Sequence, residues 1–446
     1  MSDYEKAEKL DEGKTKIIWV AQGYDDVVIV ENKSYITALD DPKFTKQFEK
    51  KAIYATTTTC RVFELLKKTD IPVAYTEQFS PTEFVASKCK MIPLEVVARR
   101  YAVGSYLKRH PELERPKSEP PFRFHRLVTE FFLKTTKGQL EASRLNTASR
   151  KVVVDGLHPE AGEEDPLIVN PQVVLWTLVH SKKPSWDPAA KLREGIDAET
   201  VIGDKSIREM DELVRSVFLI LEGMWATFGC RLIDIKIEFG VTEYGKLVVA
   251  DVIDSDSWRL RDARWKELSK EVFRQGGAEA LGEVEKNYGL VAEFVSSFRL
   301  PKQCLVLWRG SDKDEFPQCP ADLHSSDIDI REVTASGHKS PQKCTRILEE
   351  FLAGYPDGGV IVVKVGRSNG LGPMLAARTC WPVISIPATM KEFPEDVWSS
   401  IRMPGQVPMG TTWPENEAVQ FALNILSKKS PPLYHRLQKE IEKLDD

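Results

Sequence analysis

Short apolar runs and amphipathic stretches divide the chain into two parts. Before residue 300, the strand-like runs TKIIWVA and DVVIVEN precede YATTTTCRVFELLKK, whose apolar positions recur with helical spacing, and the strand-like run PVAYTEQ follows it. A long amphipathic segment, IREMDELVRSVFLILEGMWATFG, ends at Gly229, a residue suited to a helix C-terminus. The runs RLIDIKIEFGV and KLVVADVID, separated by TEYG, then predict a β-hairpin.

The pattern changes after Pro301. The runs CLVLWRGS, GGVIVVKVG and WPVISIPA alternate with polar or helical stretches, which is typical of an α/β domain with a parallel sheet. Helical spacing from Glu283 to Phe298 predicts a helix that bridges two domains, and we place the boundary near Lys302. Residues 111–190 carry prolines and charges with weak periodicity, which favours a surface insertion within the first domain.

Composition narrows the possible functions. At 446 residues the chain is expected to form two or three domains. Its net charge of -5 gives no basic field for nucleic acid, so an anionic ligand must be met by local clusters. The chain lacks any apolar stretch of the roughly 20 residues that span a membrane. The charged N-terminus does not resemble a secretory signal, and the seven scattered cysteines contain no CxxC pair. We therefore expect a soluble cytoplasmic protein with reduced thiols.

Two segments of the first part carry candidate chemistry. In DEGKTKIIW, Lys14 and Lys16 alternate along a strand, so both would face one side and could hold phosphate oxygens. The alternative is a solvated edge strand that carries lysines. In RRYAVGSYLKR, cations surround Gly104 and the Ser105 hydroxyl, which suits a phosphate or carboxylate, although a basic helix face would have the same pattern.

The predicted hairpin carries a charged face. Asp234, Lys236 and Glu238 share one face by period two, and Asp251 on the partner strand could oppose Glu238 to form a paired-carboxylate site for Mg²⁺. The alternative is a solvent-facing hairpin with cross-strand ion pairs. Together with the lysines, these residues favour a Mg²⁺–nucleotide site.

The second part offers a histidine and glycine loops. In ASGHKSP, His338 follows a strand-like run beside a glycine and could move protons near neutral pH, or it could be an ordinary surface residue. VGRSNGLGP lies between a strand and a helix, and RGSDKD also follows a strand, so both are candidate anion loops. RGSDKD lacks the glycine spacing of a dinucleotide or Walker loop.

These motifs resemble two known families. Residues 10–275, through EGKTK, ITA, MIPLEVVARRYAVGSYLKR, DIKIEFG and ADVIDSDSWRL, resemble the ATP-dependent ligases that join aspartate to carboxyaminoimidazole ribotide (SAICAR synthetases). Residues 303–430, through SGHKSP, GRSNGLGP, WPVIS and DVWSSIRMP, resemble class II aminoimidazole ribotide carboxylases. In this order the two parts are similar to the animal bifunctional enzymes of purine biosynthesis.

The resemblance implies a fold and a domain order. The fold class is α/β and α+β: a SAICAR-synthetase-like ATP-binding fold with antiparallel sheets, then a Rossmann-like three-layer α/β/α carboxylase domain with a parallel sheet. The implied domains are 1–275 for the ligase, 276–302 for a linking helix and 303–446 for the carboxylase. It also implies ATP and Mg²⁺ as cofactors without biotin, the ribotide, aspartate and CO₂ as small-molecule partners, and a homo-octamer.

Site residues are carried over by position. In the ligase part the resemblance implies ATP binding by Lys14, Lys16 and Glu95, Mg²⁺ binding by Glu238 and Asp251, and catalytic roles for Asp234 and Lys236. Substrate binding is implied for Arg99, Ser105, Arg109, Asp256, Arg259, Lys270 and Arg274. In the carboxylase part His338 would be catalytic, and the implied substrate-binding residues are Ser311, Asp314, Ser336, Lys339, Gly366, Arg367, Ser368, Asn369 and Gly370.

Several positions depart from the family pattern. LDDPKFTK followed by Lys50 and Lys51 replaces a Gly/Asn-rich turn and a Gly-Lys pair, and a basic insertion occupies about 135–165. Arg261 replaces a tryptophan and Lys313 replaces a serine. Gly337 replaces an alanine, which we expect to loosen the histidine loop. These changes leave open a divergent relative with another substrate, or a silent scaffold protein.

Overall fold

The computed structural model describes residues 4–13, 15–37, 45–47, 50–136, 138–140, 152–153, 157–158, 165–276, 280–321, 323 and 328–444. Their contacts separate into two compact units. Unit 1 comprises Met1–Arg299 with Glu442–Asp446, and unit 2 comprises Leu300–Ile441.

Unit 1 is built mainly from antiparallel strands. They are β1 (Lys6–Glu12), β2 (Lys16–Ala21), β3 (Val27–Asn32), β4 (Tyr35–Thr37), β5 (Thr45–Gln47), β6 (Tyr75–Ser80), β7 (Glu83–Ser87), β8 (Cys89–Tyr101), β9 (Arg123–Leu133), β10 (Gln139–Leu140), β11 (Val152–Val153), β12 (Leu167–Ile168), β13 (Leu175–Val179), β14 (Lys191–Asp197), β15 (Arg231–Thr242), β16 (Leu247–Ala250) and β17 (Trp258–Arg261). The helices are α1 (Lys51–Lys68), α2 (Ser105–Arg109), α3 (Ala198–Ile202), α4 (Ile207–Thr227), α5 (Glu271–Gly276) and α6 (Leu281–Ser296).

Two sheets organise unit 1. A five-stranded sheet has the order β1-β2-β3-β7-β6, and an eight-stranded sheet has the order β14-β13-β12-β9-β8-β15-β16, with β17 also paired to β15. The predicted hairpin is β15–β16, and the amphipathic segment is α4, which buries Val214, Val217 and Leu221. Gly229 has a φ of +69° just beyond α4, so the predicted helix stop is confirmed.

The prediction that residues 111–190 form a surface insertion was partly wrong. Strands β9, β12 and β13 lie within 111–190 and pair into the eight-stranded sheet next to β8. Trp176 and Leu178 of β13 are fully buried. Strand β12 has only two residues, too few to show a period of two, so the sequence pattern hid its role. Most of the narrower insertion, 135–165, lies outside the described residues.

Helix α6 is the helix that was expected to link the domains. It packs within unit 1, where Val284 and Tyr288 join Phe273 in a small core cluster. Gly289 of α6 lies close to Tyr54 of α1, because an added Cβ would be 3.3 Å from that ring. The helix therefore contributes to the core of the first unit, and the contact division falls after it, at Arg299.

Unit 2 is a three-layer α/β/α domain, as predicted. Its strands are β18 (Cys304–Arg309), β19 (Asp329–Thr334), β20 (Gly359–Val365), β21 (Val383–Pro387) and β22 (Gly410–Thr411). They form a parallel sheet in the order β19-β18-β20-β21-β22. The helices are α7 (Pro341–Gly354), α8 (Leu371–Ala376), α9 (Trp398–Ile401), α10 (Glu415–Leu426) and α11 (Pro431–Ile441).

Both faces of this sheet are buried. Cys344 and Leu348 of α7 and Leu375 of α8 pack in one core cluster, whereas α10 and α11 contribute to the other. The strand order reverses between β18 and β20, and ligands in open α/β sheets bind outside the carboxyl ends of strands at such a point. The described residues between β18 and β19 contain no helix, as the two prolines in EFPQCP lead us to expect.

Across the described ranges, no helix is both long and apolar enough to cross a membrane.

Candidate active sites

Unit 1 contains a cavity of about 430 Å³. Apolar side chains from several strands form much of its wall, including Val28, Val30 and Ala86. Six charged residues line it as well: Asp11, Lys16, Lys88, Lys134, Glu238 and Asp251. Pockets for small molecules typically combine an apolar lining with a few polar groups in this way. The volume and the mixture of charges suit a nucleotide.

Lys16 lies at this cavity as predicted. Its ammonium group forms an ion pair with Asp251, and burial lowers the lysine pKa to about 8. Lys14, the other predicted phosphate ligand, lies outside the described residues. The solvated edge strand offered as the alternative does not describe Lys16, whose strand lies between β1 and β3.

The charged face of β15 forms a chain of ion pairs. Lys236 Nζ lies 2.7 Å from Glu95 Oε1 and 3.1 Å from Glu238 Oε1, while Lys134 Nζ lies 2.7 Å from Glu238 Oε2. Glu95 and Glu238 are direct cross-strand neighbours on β8 and β15. Burial alone would raise the pKa of Glu238, but Lys236, Lys134 and Lys16 outweigh it and lower the pKa to about 2. The same carboxylates raise the pKa of Lys236 despite its burial.

The predicted carboxylate pair needs one correction. The residue opposite Glu238 on β16 is Ala250, and Asp251 comes one position later, beyond the strand, with a φ of +62°. A direct cross-strand pair was wrong because the strand ends at Ala250. Both carboxylates nevertheless line the cavity, although the described residues contain no cluster of three or more metal-ligating side chains.

A second charged cluster crosses three strands of unit 1. Asp234 of β15 is paired in register with Arg99 of β8 on one side and Arg259 of β17 on the other. Its Oδ2 binds the guanidinium of Arg99 and lies 2.5 Å from Arg259 Nη1. Arg99 Nη2 also donates to Ser105 Oγ at 3.3 Å. Four residues named from three separate motifs therefore meet in one row.

Arg109 lies beside this row. It is buried, its guanidinium binds Glu130 and the Ser181 carbonyl, and it lies over the rings of Tyr106 and Phe132. Burial lowers its pKa despite the carboxylate. Several N–H donors of Arg109 are therefore already bound to protein groups.

Asp256 lies in a third group of charges. It accepts a hydrogen bond from Tyr288, and its Oδ2 lies 3.1 Å from Lys51 Nζ and 3.5 Å from Lys270 Nζ. Burial would raise the pKa of Asp256, but the two ammonium groups and the phenol lower it. Arg274 belongs to α5, and the structure does not describe its side chain.

In unit 2 the predicted residues follow the carboxyl ends of adjacent strands. Ser311 and Asp314 follow β18, the segment Ser336–Lys339 follows β19, and the segment Gly366–Gly370 follows β20. Arg309 holds the first loop, because its Nη1 donates to the Asp314 carbonyl at 2.7 Å and its Nε donates to Thr334 Oγ1 at 2.7 Å. The loops thus meet at the strand-order reversal of the parallel sheet.

His338 and Gly370 are in close contact. A Cβ built on Gly370 would lie 2.3 Å from His338 Nε2, so the imidazole occupies the space above this glycine. Gly337 packs just as closely, since a Cβ there would be 2.7 Å from Leu371 Cα. The expectation that Gly337 loosens the loop was wrong: the missing Cβ allows the histidine loop to pack against the backbone of residues 370–371.

Asn369 fixes the shape of the glycine loop. It is buried, and its amide nitrogen donates to Ser385 Oγ at 2.9 Å and Ser400 Oγ at 3.0 Å. Its Oδ1 accepts the Gly372 N–H at 2.9 Å. Ser368 and Arg367 are exposed, and Arg367 lies over the Phe393 ring at 5.3 Å. Asn369 therefore holds the loop, while its exposed neighbours face outward.

Several residues of these sites were not predicted from the sequence. Glu130 lies on β9 and Lys134 lies directly after it. Both are inside the region interpreted as an insertion, so no strand pattern indicated them. Lys51 was noted only as part of a departure, yet it is buried at the start of α1 and bound to Asp256. A buried lysine needs a partner, but the sequence does not show burial.

Comparisons with known proteins cover both units. The SAICAR synthetase family model matches residues 9–291, and the AIR carboxylase model matches residues 305–446. The probable multifunctional protein ADE2 of Caenorhabditis elegans is 33% identical over 95% of this chain and 90% of its own length. The human bifunctional phosphoribosylaminoimidazole carboxylase/phosphoribosylaminoimidazole succinocarboxamide synthetase is 31% identical over 97% of this chain and 93% of its own.

Among solved structures, the phosphoribosylaminoimidazole-succinocarboxamide synthase of Ehrlichia chaffeensis is 23% identical with a TM-score of 0.49, covering 66% of this chain and 100% of that one. The family models and the relatives that match nearly end to end decide the assignment. The chain belongs to the family of bifunctional phosphoribosylaminoimidazole carboxylase/phosphoribosylaminoimidazole succinocarboxamide synthetases, with a SAICAR synthetase domain followed by an AIR carboxylase domain.

Proposed function

We propose that this protein catalyses two consecutive steps of de novo purine biosynthesis. Its carboxylase domain adds CO₂ to aminoimidazole ribotide, and its ligase domain joins the product to L-aspartate with Mg²⁺ and ATP. The observation that carries the ligase proposal is the cavity of unit 1, where Lys16, Lys134, Glu238 and Asp251 line a space of nucleotide size. We further propose a cytoplasmic homo-octamer, with the ligase over 1–275, a linking helix over 276–302 and the carboxylase over 303–446.

The charged groups of the cavity suit a triphosphate. Lys16 and Lys134 are each paired with a carboxylate, and phosphate oxygens would replace those carboxylates as partners. Glu238 and Asp251 would then hold Mg²⁺, since oxygen ligands from one or two carboxylates plus phosphates are its usual set. When bound, Mg²⁺ neutralises phosphate charge. Glu95 keeps Lys236 in place on the same face, and Lys14 would add a further phosphate contact.

The row of Arg99, Asp234 and Arg259 suits the ribotide. Two guanidinium groups and the Ser105 hydroxyl would bind its phosphate, and Asp234 would keep both arginines in position. Arg109 supports this row, and Lys270, Arg274 and Asp256 would contact the ribotide or aspartate. Asp234 and Lys236 would place the reacting carboxylate.

The ligation requires no nucleophilic side chain. The carboxylate of the ribotide attacks the γ-phosphorus of ATP and releases ADP, which gives an acyl phosphate. The amine of aspartate then attacks the acyl carbon; a C–N bond forms, the C–O bond to phosphate breaks, and the amine loses a proton. Cations near the phosphates stabilise the charge that develops in both steps.

In the carboxylase domain we assign proton transfer to His338. The ring carbon of the ribotide attacks CO₂, and the proton on that carbon must leave to restore the aromatic ring. His338, held against Gly370 at that edge of the sheet, would accept this proton. The residues that would bind the ribotide are Ser311, Asp314, Ser336, Lys339 and the segment Gly366–Gly370. We propose that CO₂ reacts directly in this step, without biotin or ATP, as the resemblance to class II carboxylases implies.

One experiment tests both activities. Purified protein is given aminoimidazole ribotide, bicarbonate, Mg²⁺, ATP and aspartate, and the products are followed by mass. We expect the succinylated carboxamide ribotide. Turnover only with a different amino acid or acid would instead support a divergent relative, and no nucleotide binding at all would support a silent scaffold. The match to relatives over nearly the whole chain does not favour either alternative.

A further inference from the structure

Glu130 of β9 joins Arg99, which belongs to the row proposed to bind the ribotide phosphate, to Arg109, which supports that row. Its Oε2 lies 2.6 Å from Arg99 Nε, and its Oε1 binds Arg109 Nη2. All three side chains are buried, with Glu130 only 7% exposed. A single carboxylate therefore uses one oxygen for each guanidinium.

This arrangement decides which nitrogens of Arg99 point away from Glu130. Because Nε is engaged by Glu130, the terminal nitrogens Nη1 and Nη2 are the ones that contact Asp234 and Ser105. Those two nitrogens form the planar fork with which arginine binds phosphate. Arg109 is anchored in turn at the Ser181 carbonyl, which makes Glu130 a fixed support.

The positive charges of Arg99 and Arg109 require a carboxylate such as Glu130 between them. The charge of Arg99 disfavours the charge of Arg109, and Glu130 offsets that repulsion. If Glu130 lost its negative charge, the two buried guanidinium groups would no longer share a carboxylate. Leaving a buried charge without its partner is costly, so we expect Arg99 to move toward Asp234 and away from its present orientation.

We propose that Glu130 is a positioning residue for ribotide binding, which aims the fork of Arg99 through its Nε. This inference rests on the proposed ligase function. It predicts a selective effect: the affinity for the ribotide depends on Glu130, whereas the affinity for ATP, which lies in the cavity of Lys16 and Lys134, does not.

The test compares Glu130→Gln with a matched variant, Glu222→Gln. Arg100, next to Arg99 on β8, is buried and binds both oxygens of Glu222 at 2.9 Å. Both substitutions thus remove a negative charge, buried at Glu130 and partly buried at Glu222, from an arginine of β8, but of the two only Glu130 touches Arg99. Ligation rates are measured with the carboxylated ribotide supplied directly, and KM is determined separately for the ribotide, ATP and aspartate.

For Glu130→Gln we expect the KM of the ribotide to rise on the order of tenfold or more, with the KM of ATP within about twofold of wild type. For Glu222→Gln we expect a lower Tm and an unchanged ribotide KM. An unchanged ribotide KM in folded Glu130→Gln overturns the inference, as does a parallel rise in all three KM values.

Folding and function can be separated. If Glu130→Gln does not fold, Glu130→Asp keeps the charge but is one methylene shorter, so it cannot span both arginines. We expect it to raise the ribotide KM by a smaller factor, and an unchanged KM would again overturn the inference. If the wild-type protein does not ligate at all, the proposed function has failed; if it ligates and Glu130→Gln binds the ribotide normally, only the role of Glu130 has failed.

Discussion

The ammonium group of Lys16 illustrates how one residue can make substrate binding depend on pH. Burial holds its pKa at about 8, below the value of 10.5 that the side chain has in water. Lys16 is therefore charged below pH 8 and loses its charge as the pH rises through that value. A neutral amine attracts phosphate only weakly, so nucleotide affinity should fall in alkaline solution.

We expect the Kd of ATP to rise by up to about tenfold between pH 7 and pH 9, because about nine-tenths of a group with a pKa of 8 is neutral at pH 9. The measurement is direct nucleotide binding by calorimetry, which avoids the titration of the aspartate amine. Lys16→Arg keeps its charge throughout this range, so its Kd should not show this step. A flat profile for the wild-type protein, or the same step in the arginine variant, would contradict the role of Lys16.

Gly370 provides a second prediction at the scale of one residue. A methyl group there would overlap the imidazole of His338 and displace it. Gly370→Ala should therefore reduce carboxylation on the order of 100-fold, as expected when a reacting group is moved by about 1 Å, and should leave ligation unchanged. Gly354→Ala is the control, because a Cβ at that position meets nothing within 4 Å. Full carboxylation by Gly370→Ala would show that His338 does not act from this position.

Single residues of the sites differed in how far the sequence could predict them. Asp234, Lys236 and Glu238 alternate on one strand, and the period of two placed them correctly on one face. Glu130 and Lys134 could not be found in this way, because their importance depends on which strands lie beside β9. That information is contained in the tertiary pairing rather than in the local pattern.

At the scale of elements, the turn from β8 into α2 positions the arginine row. Gly104 occupies this turn with φ +59° and ψ -129°, a conformation that side chains strongly disfavour. A Cβ on Gly104 would also lie 2.6 Å from Arg259 Nη2. The turn thus brings its backbone directly against the guanidinium of Arg259.

Gly104→Ala should have two effects, a lower stability from backbone strain and a higher ribotide KM, on the order of tenfold, from the displacement of Arg259. Gly203→Ala separates them. Gly203 follows α3 with φ +64° and ψ -134°, nearly the same conformation, so the strain should be similar. We expect comparable losses of Tm in the two variants, but a changed ribotide KM only for Gly104→Ala. Equal KM values would assign the effect of Gly104 to strain alone.

Elements were predictable where periodicity or turn chemistry was clear, and length alone was not enough, since β9 has 11 residues but lies in the region interpreted as an insertion. Helix α4 and the hairpin β15–β16 followed from periodicity and turn chemistry, whereas β12 was not recognisable because two residues cannot show alternation. The parallel sheet of unit 2 was predicted from its alternating pattern, but the order β19-β18-β20-β21-β22 follows from crossover packing and brings the loops of Ser311 and Gly370 to the same edge.

At the scale of the whole molecule, the two sites use different chemistry and lie in different contact units. The proposed ligase residues fall between 14 and 274, within unit 1, and the proposed carboxylase residues fall between 311 and 370, within unit 2. A substitution at either site should therefore abolish one activity and leave the other intact. The carboxylated ribotide, which is the product of one site and the substrate of the other, provides the readout.

We expect Glu238→Gln to lower ligation by at least about 100-fold, because Lys134 and Lys236 lose their shared carboxylate and the proposed Mg²⁺ site loses a negatively charged ligand. Given all substrates, this variant should accumulate the carboxylated ribotide. His338→Gln should instead fail to carboxylate, yet ligate the carboxylated ribotide when it is supplied. A mixture of the two variants should form the final product after a lag, since each supplies the step that the other lacks. Loss of both activities in either folded variant would show that the two sites are not independent, because one substitution in a self-contained site has no direct contact through which to inactivate the other.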